Sequence, residues 1–281
     1  MADVGESSTM AGKGESSTVR REKKVVLFGK TGGGKSTIAN ALVTGGTGEV
    51  IFKSSDGAQG CTQDFQQESG RGWTVLDTIG LGEAAPTANI GRTDTKPEER
   101  LKNYLKKVKG EYSHIIYVMK GARVTTIDEA IWCLFTEIFK GGEAAFVIVF
   151  TGVDEDWLEA EREKFPAEMK TVENIIVVDI PPKNKREVLE RLHADQRREE
   201  IQKLEAELER FFAERNYKDV QPNICHMNDD DLRTEAKSII EKVVKKLKSL
   251  FTKDNMMTVI RVLSTVVGLA AAVFELVLAT T

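Results

Sequence analysis

Lys23-Lys24-Val25-Val26-Leu27-Phe28-Gly29-Lys30-Thr31-Gly32-Gly33-Gly34-Lys35-Ser36-Thr37-Ile38-Ala39-Asn40-Ala41-Leu42 decides the fold. A short apolar run, a glycine-rich turn and an apolar-periodic segment predict strand, loop and helix, and the turn has the G-x-x-x-x-G-K-[ST] spacing. Gly29, Lys30, Thr31, Gly32, Gly33 and Gly34 let the backbone curl so that successive N–H groups face phosphate oxygens, and the helix entered at Lys35 adds its positive end. In that pattern Lys35 bridges the β and γ phosphates, the Ser36 hydroxyl is a Mg²⁺ ligand and Thr37 continues the cradle.

Two further strand ends complete the pattern. Trp73-Thr74-Val75-Leu76-Asp77-Thr78-Ile79-Gly80 is an apolar run ending in D-x-x-G. Asp77 at the carboxyl end of a neighbouring strand can hold Mg²⁺ through water, and the Gly80 N–H can meet a γ phosphate, a contact that exists only with a triphosphate. Ala145 to Phe150 reads as a strand buried on both faces, with Thr151-Gly152-Val153-Asp154 at its carboxyl edge. A carboxylate at Asp154 can accept the N1–H and N2 amino hydrogens of guanine, a donor pair that adenine lacks. Asp154 can equally cap the helix that Glu155-Asp156-Trp157-Leu158 begins. The expected class is α/β, a mostly parallel sheet with crossover helices and a C-terminal helical extension.

The rest of the chain bounds these readings. It has 281 residues, 41% apolar and 30% charged, enough for one sizeable domain with an appendage. A net charge of −4 supplies no basic field for a nucleic-acid backbone, so no nucleic-acid partner is expected. Cys61, Cys133 and Cys225 lie far apart without ligand spacing and read as free thiols of a reducing compartment. His114, His193 and His226 are also scattered, so no protein-bound zinc is expected. Residues 1–23 repeat Gly-Glu-Ser-Ser-Thr, carry few large apolar side chains and predict a disordered tail with no secretory signal, hence a cytoplasmic chain.

At the other end, 186–254 reads as a helical extension. Ile201, Leu204, Leu208 and Phe211 form a stripe of only about two heptads, which predicts packing on the domain rather than a long coiled coil. A second helix begins at Asp229-Asp230-Asp231, after Gln221-Pro222-Asn223. Residues 256–281 read as an apolar C-terminal helix, with Val259 to Leu278 following Lys245, Lys246, Lys248 and Lys253. Its twelve Val, Ile, Leu and Phe residues contribute about −0.3 to −0.6 kcal/mol each to membrane insertion. Arg261 and Glu275 oppose them by roughly 2.5 to 3.5 kcal/mol each near a bilayer centre. The balance is near zero, which leaves an anchor in an intracellular membrane and a helix buried on the body of the protein as alternatives.

Taken together, FGKTGGGKSTIANAL, DTIGLGE, Gly121-Ala122-Arg123-Val124-Thr125-Thr126 running into Ile131-Trp132-Cys133-Leu134-Phe135, and Val149 to Asp154 resemble the immunity-associated GTPases. This is the GIMAP or avirulence-induced family, within the P-loop GTPases related to septins and chloroplast import receptors. The resemblance covers about residues 24 to 185, the expected G domain. It implies GTP or GDP with Mg²⁺, and Gly60-Cys61-Thr62-Gln63-Asp64-Phe65 resembles the first switch, with Thr62 as second Mg²⁺ ligand; an ordinary strand Thr is the alternative. Where such proteins often carry Lys or Arg in the base-reading motif, this chain has Gly152-Val153, and the base-closing position falls on Asp179 or Asn184.

Hydrolysis needs a positioned water and positive charge on the phosphate oxygens. The Gln that follows D-x-x-G in Ras-like enzymes is Leu81 here, so slow turnover is expected. Arg123, in the box resembling the family's, is the candidate to supply charge across a nucleotide-facing homodimer; pairing with Asp128 or Glu129 is the alternative. Ala84 to Lys96, ahead of a helix at about Pro97 to Lys109, is suited to ordering by γ phosphate or by a second subunit. A GTP-binding scaffold without useful hydrolysis, and an ATP-using P-loop kinase or ATPase, compete with the switch reading, and Asp154 argues against the latter.

Overall fold

The computed structural model describes residues 22–47, 49–52, 65–78, 97–183 and 186–250. The strands are β1 (Lys23–Phe28), β2 (Gln66–Gly70), β3 (Trp73–Asp77), β4 (His114–Lys120), β5 (Phe146–Thr151) and β6 (Ile175–Val178). They form one sheet in the order β2-β3-β1-β4-β5-β6. Only β2 runs antiparallel, paired to β3 from Gln66↔Asp77 to Gly70↔Trp73; the remaining pairs are parallel. The helices are α1 (Lys35–Thr44), α2 (Pro97–Lys107), α3 (Thr126–Ile138), α4 (Glu155–Glu161), α5 (Ala167–Lys170), α6 (Glu187–Glu214) and α7 (Asp229–Leu250).

The central strands read as unbroken apolar runs because both faces are covered. Along β1, Val26 and Phe28 face one core, shared with α2, α3 and α7, whereas Val25 and Leu27 face the other, shared with α1 and α6. The stripe Ile201, Leu204, Leu208 and Phe211 is buried in that second core. α6 therefore packs on the sheet face beside α1. α7 packs on α2 and α3, burying Ile239, Ile240, Val243 and Val244.

A buried ring helps fasten α6 to β4. Burial lowers the pKa of His114 to about 3, so its imidazole is neutral and Nε2–H donates to the Leu208 carbonyl at 2.8 Å. The first 21 residues and 251–281 lie outside the described residues, and with them the tail and the apolar C-terminal segment. Among the described residues no helix is long and apolar enough to cross a membrane.

Candidate functional site

The parallel strands deliver their carboxyl ends to one edge, and β1, flanked by β3 and β4, places the glycine-rich loop at its middle. Neighbouring strands leave in opposite directions there, the crevice where ligands bind in open α/β sheets. The loop runs hard against β4: Gly29 has φ +148°, and a Cβ on it would stand 2.1 Å from the Val118 carbonyl oxygen. Lys35 is buried and folds back so that Nζ donates to the Lys30 carbonyl at 3.1 Å. Gly34, at the N-cap of α1, offers no side-chain cap, and the first turn carries no acidic residue. The N–H groups of that turn are thus left for an anion. Thr31, Gly32 and Thr37 complete the loop and the first turn.

Asp77 ends β3 beside α1. Its Oδ2 accepts the Ser36 hydroxyl at 2.7 Å, while Oδ1 is buried and makes no hydrogen bond among the described residues. Burial raises the Asp77 pKa, against the opposing pull of the Lys35 charge and the Ser36 hydroxyl. A buried carboxylate oxygen without a partner is costly, and a hard cation that takes oxygen ligands removes that cost. The pair fits Mg²⁺. Thr78 locks the following turn by donating to the Leu27 carbonyl at 2.7 Å. Thr62, Gly80 and Leu81 lie outside the described residues.

A pH dependence follows. A carboxyl whose folded pKa lies above its unfolded value binds its proton more tightly when folded, so the metal-free protein gains stability as pH falls through the raised value. A Mg²⁺ ion held there would need the carboxylate and would bind more weakly over the same window. Melting curves recorded with and without Mg²⁺ should therefore converge on acidification from neutral pH, and Asp77→Asn should show little Mg²⁺ effect at any pH.

On β5, the Thr151 hydroxyl shares its proton between the Gly33 carbonyl at 2.9 Å and the Met119 carbonyl at 3.3 Å. It fastens the base-side strand to the phosphate loop. Asp154 is exposed at the start of α4, and its Oδ1 accepts the Trp157 N–H at 3.0 Å, so the capping role is present. A carboxylate has acceptor sites beyond one cap bond, and Oδ2 makes no hydrogen bond among the described residues, so base recognition remains open to the same side chain. Val153 turns toward the β4–α3 connection, where a Cβ on Gly121 would lie 2.0 Å from its Cγ1.

That connection holds Arg123. Gly121 N–H donates to the Thr151 carbonyl at 2.8 Å. At the other end Asp128 Oδ2 accepts from Thr125 N at 2.8 Å and from the Thr125 hydroxyl at 2.5 Å, closing a capping box at the start of α3. Asp128 Oδ1 takes Lys30 Nζ at 2.8 Å. The Asp128 carboxylate, the alternative partner for Arg123, serves Lys30 instead, and Arg123 is exposed without an ion pair among the described residues. Lys30, Gly33, Met119, Arg123 and Asp128 border a hollow of 240 Å³ beside the phosphate loop. Sequence reasoning missed the Lys30–Asp128 link, because Lys30 falls on an unconstrained position of the motif.

Sheet order, phosphate loop, Ser36–Asp77 pair and Asp154 edge define a P-loop protein of the GTPase type. The sequence profile of the AIG1 family matches residues 23–231, and the chain belongs to that family. It is similar to Immune-associated nucleotide-binding protein 3 of Arabidopsis thaliana, 27% identical over 156 residues, covering 53% of this chain and 43% of the relative. The chain thus spans less than half the length of that relative. Among solved structures, a dimerization-deficient mutant of Toc33 from Arabidopsis thaliana is 18% identical, with a TM-score of 0.39 and coverage of 71% of this chain and 87% of that one. A mutant of Era from Aquifex aeolicus bound to GDP and AlF4⁻ is 17% identical, with a TM-score of 0.35 and coverage of 56% and 50%.

Proposed function

We propose that this chain is a guanine-nucleotide switch that binds GTP with Mg²⁺, hydrolyses it slowly and completes its active site in a dimer formed across the nucleotide face. The observation that carries the reading is the Ser36–Asp77 pair at the head of the phosphate loop, with one carboxylate oxygen buried and left over. Lys35 and the N–H groups opening α1 hold the β and γ phosphates. Ser36 and Asp77, joined by Thr62, would hold Mg²⁺, and the ion would supply positive charge to the phosphates. Asp154 reads the guanine edge, with Thr151 keeping its strand in register with the loop. The Gly80 N–H meets the γ phosphate and orders the segment that follows. Arg123 of a second copy supplies the missing charge, and Val259 to Leu278 attaches the switch to an intracellular membrane from the cytoplasmic side.

Equilibrium binding of GTP, GDP and ATP to the full chain with Mg²⁺, with light scattering on each mixture, tests this reading. Preference for guanine nucleotides, with dimers only in the triphosphate state, is the expected result. Equal ATP affinity, or no binding, would sink it. Leu81 also permits a GTP-binding scaffold without useful hydrolysis; turnover that stays absent at high protein concentration would select that alternative.

A further inference from the structure

α6 follows the last strand of the sheet, and four of its side chains, His193 at 3.4 Å from the Pro182 carbonyl among them, are engaged with the loop that leaves β6. Arg197 is only 8% exposed. Its Nε donates to the Pro181 carbonyl at 3.1 Å and its Nη2 to the Pro182 carbonyl at 3.2 Å. Glu190, earlier on the same helix, takes Nη1 at 3.1 Å. Gln196 donates to the Asp179 carboxylate at 3.3 Å, and Glu200 accepts the Asp179 N–H at 3.1 Å. A guanidinium withdrawn from water is tolerated only where its hydrogen bonds are made. Here two of its acceptors are carbonyls of one short loop.

The position of that loop gives the contacts a function. β6 pairs with β5 up to Thr151↔Val178, and Gly152 N–H donates to the Val178 carbonyl at 2.7 Å. Residues 179–183 therefore leave the sheet beside the Thr151–Asp154 segment. In the guanine-nucleotide reading, with phosphates over β1 and Asp154 at the edge of β5, a base would lie over the carboxyl ends of β5 and β6, flanked by this loop. The Asp179 carboxylate is already engaged by α6, so the loop acts there as a wall whose place is set from behind.

We infer that Arg197 is a positioning residue for the nucleotide base: through the Pro181 and Pro182 carbonyls it fixes the β6–α6 loop against the base, so that α6 sets how tightly guanine is held. This rests on the guanine-nucleotide reading above. The hydrogen bonds run from the guanidinium to main-chain oxygens, and a lysine cannot reach both carbonyls and Glu190 together.

The test uses the full chain and fluorescently labelled GDP. Arg197→Met keeps the alkyl stem and removes the donors. Release of GDP should quicken about tenfold and the GTP-over-ATP preference should narrow by a similar factor, about the loss expected for one charge-assisted bond. Arg210→Met, on the same helix but in exposed pairs with Glu207 and Glu214, should leave both unchanged. A folded Arg197→Met protein with parental GDP release and parental base preference overturns the inference while leaving the guanine reading intact. A parent that binds no guanine nucleotide removes both. If Arg197→Met does not fold, Glu190→Gln decides: faster GDP release supports the inference and parental release overturns it.

Discussion

Replacement of Gly29 by alanine is expected to abolish nucleotide binding, whereas the same change at Gly32 should keep affinity within about tenfold of the parent. Both glycines have positive φ, +148° and +73°, but their surroundings differ. A Cβ on Gly29 would stand 2.1 Å from the Val118 carbonyl oxygen, and on Gly32 it would meet nothing within 4 Å. Val118 cannot retreat easily. β4 is paired to β1 through Leu27↔Ile116 and Phe28↔Tyr117, and all four residues are buried in the centre of the sheet. Forcing extra volume into such packing costs about 1–3 kcal/mol, and a left-handed backbone adds about 1–2 kcal/mol for an L-residue. The total of about 2–5 kcal/mol reaches at its upper end the lower bound of a domain's stability, about 5 kcal/mol. The loop must leave its place or the sheet must loosen. At Gly32 only the backbone cost applies. Titration calorimetry with GTP, alongside melting curves, separates the two variants; parental affinity in Gly29→Ala would refute the role given to this close approach.

What the sequence revealed depended on whether the physics was local. β1, β3 and β5 were legible because strands buried on both faces must be apolar without alternation, and because each ends in a Gly or Asp turn that carries chemistry. β2 was not, since Gln66-Gln67-Glu68-Ser69-Gly70 has no strand character of its own. It is an edge strand held by its antiparallel ladder with β3 and by the Ser69–Thr74 hydroxyl contact at 2.6 Å. For α6 the apolar stripe was visible but its partner was not. Gly46 supplies part of that partner surface, where a Cβ would lie 2.7 Å from Ile201 Cδ1. Arg197 lies where the stripe stops, and nothing in a helical period shows that a guanidinium is turned toward a loop before its own helix. The site followed the same rule. Lys35, Ser36, Asp77 and Asp154 sit at strand ends or helix starts that spacing exposes, whereas the Lys30–Asp128 pair joins segments that only the fold brings together.

Arg123→Ala is expected to remove the dependence of GTP turnover on protein concentration while leaving GTP affinity nearly unchanged. A charge-stabilising arginine is worth about 10³ to 10⁵ in rate, and the other two loop cations among the described residues are committed. Lys35 is buried under the phosphate loop, and Lys30 is paired to Asp128 at 2.8 Å. In the proposed switch, with Leu81 in place of a water-orienting glutamine, a single copy would hold GTP but turn it over slowly. Arg123 lies in a short connection pinned at one end by the Gly121–Thr151 bond and at the other by the Thr125–Asp128 cap, and its side chain is exposed. A charged group held at the rim on a stiff segment loses little freedom on meeting a second copy, which favours use in trans. Turnover per molecule should therefore rise with concentration in the parent and stay flat in Arg123→Ala. Mixing Arg123→Ala with Lys35→Met, at concentrations where light scattering shows mixed dimers, should restore part of the rate, because the Lys35→Met copy lends its arginine to the intact phosphate loop of the Arg123→Ala copy. An Arg123→Ala protein whose rate climbs with concentration as the parent's does would remove the arginine from the mechanism, and a mixture that stays slow would return it to its own subunit.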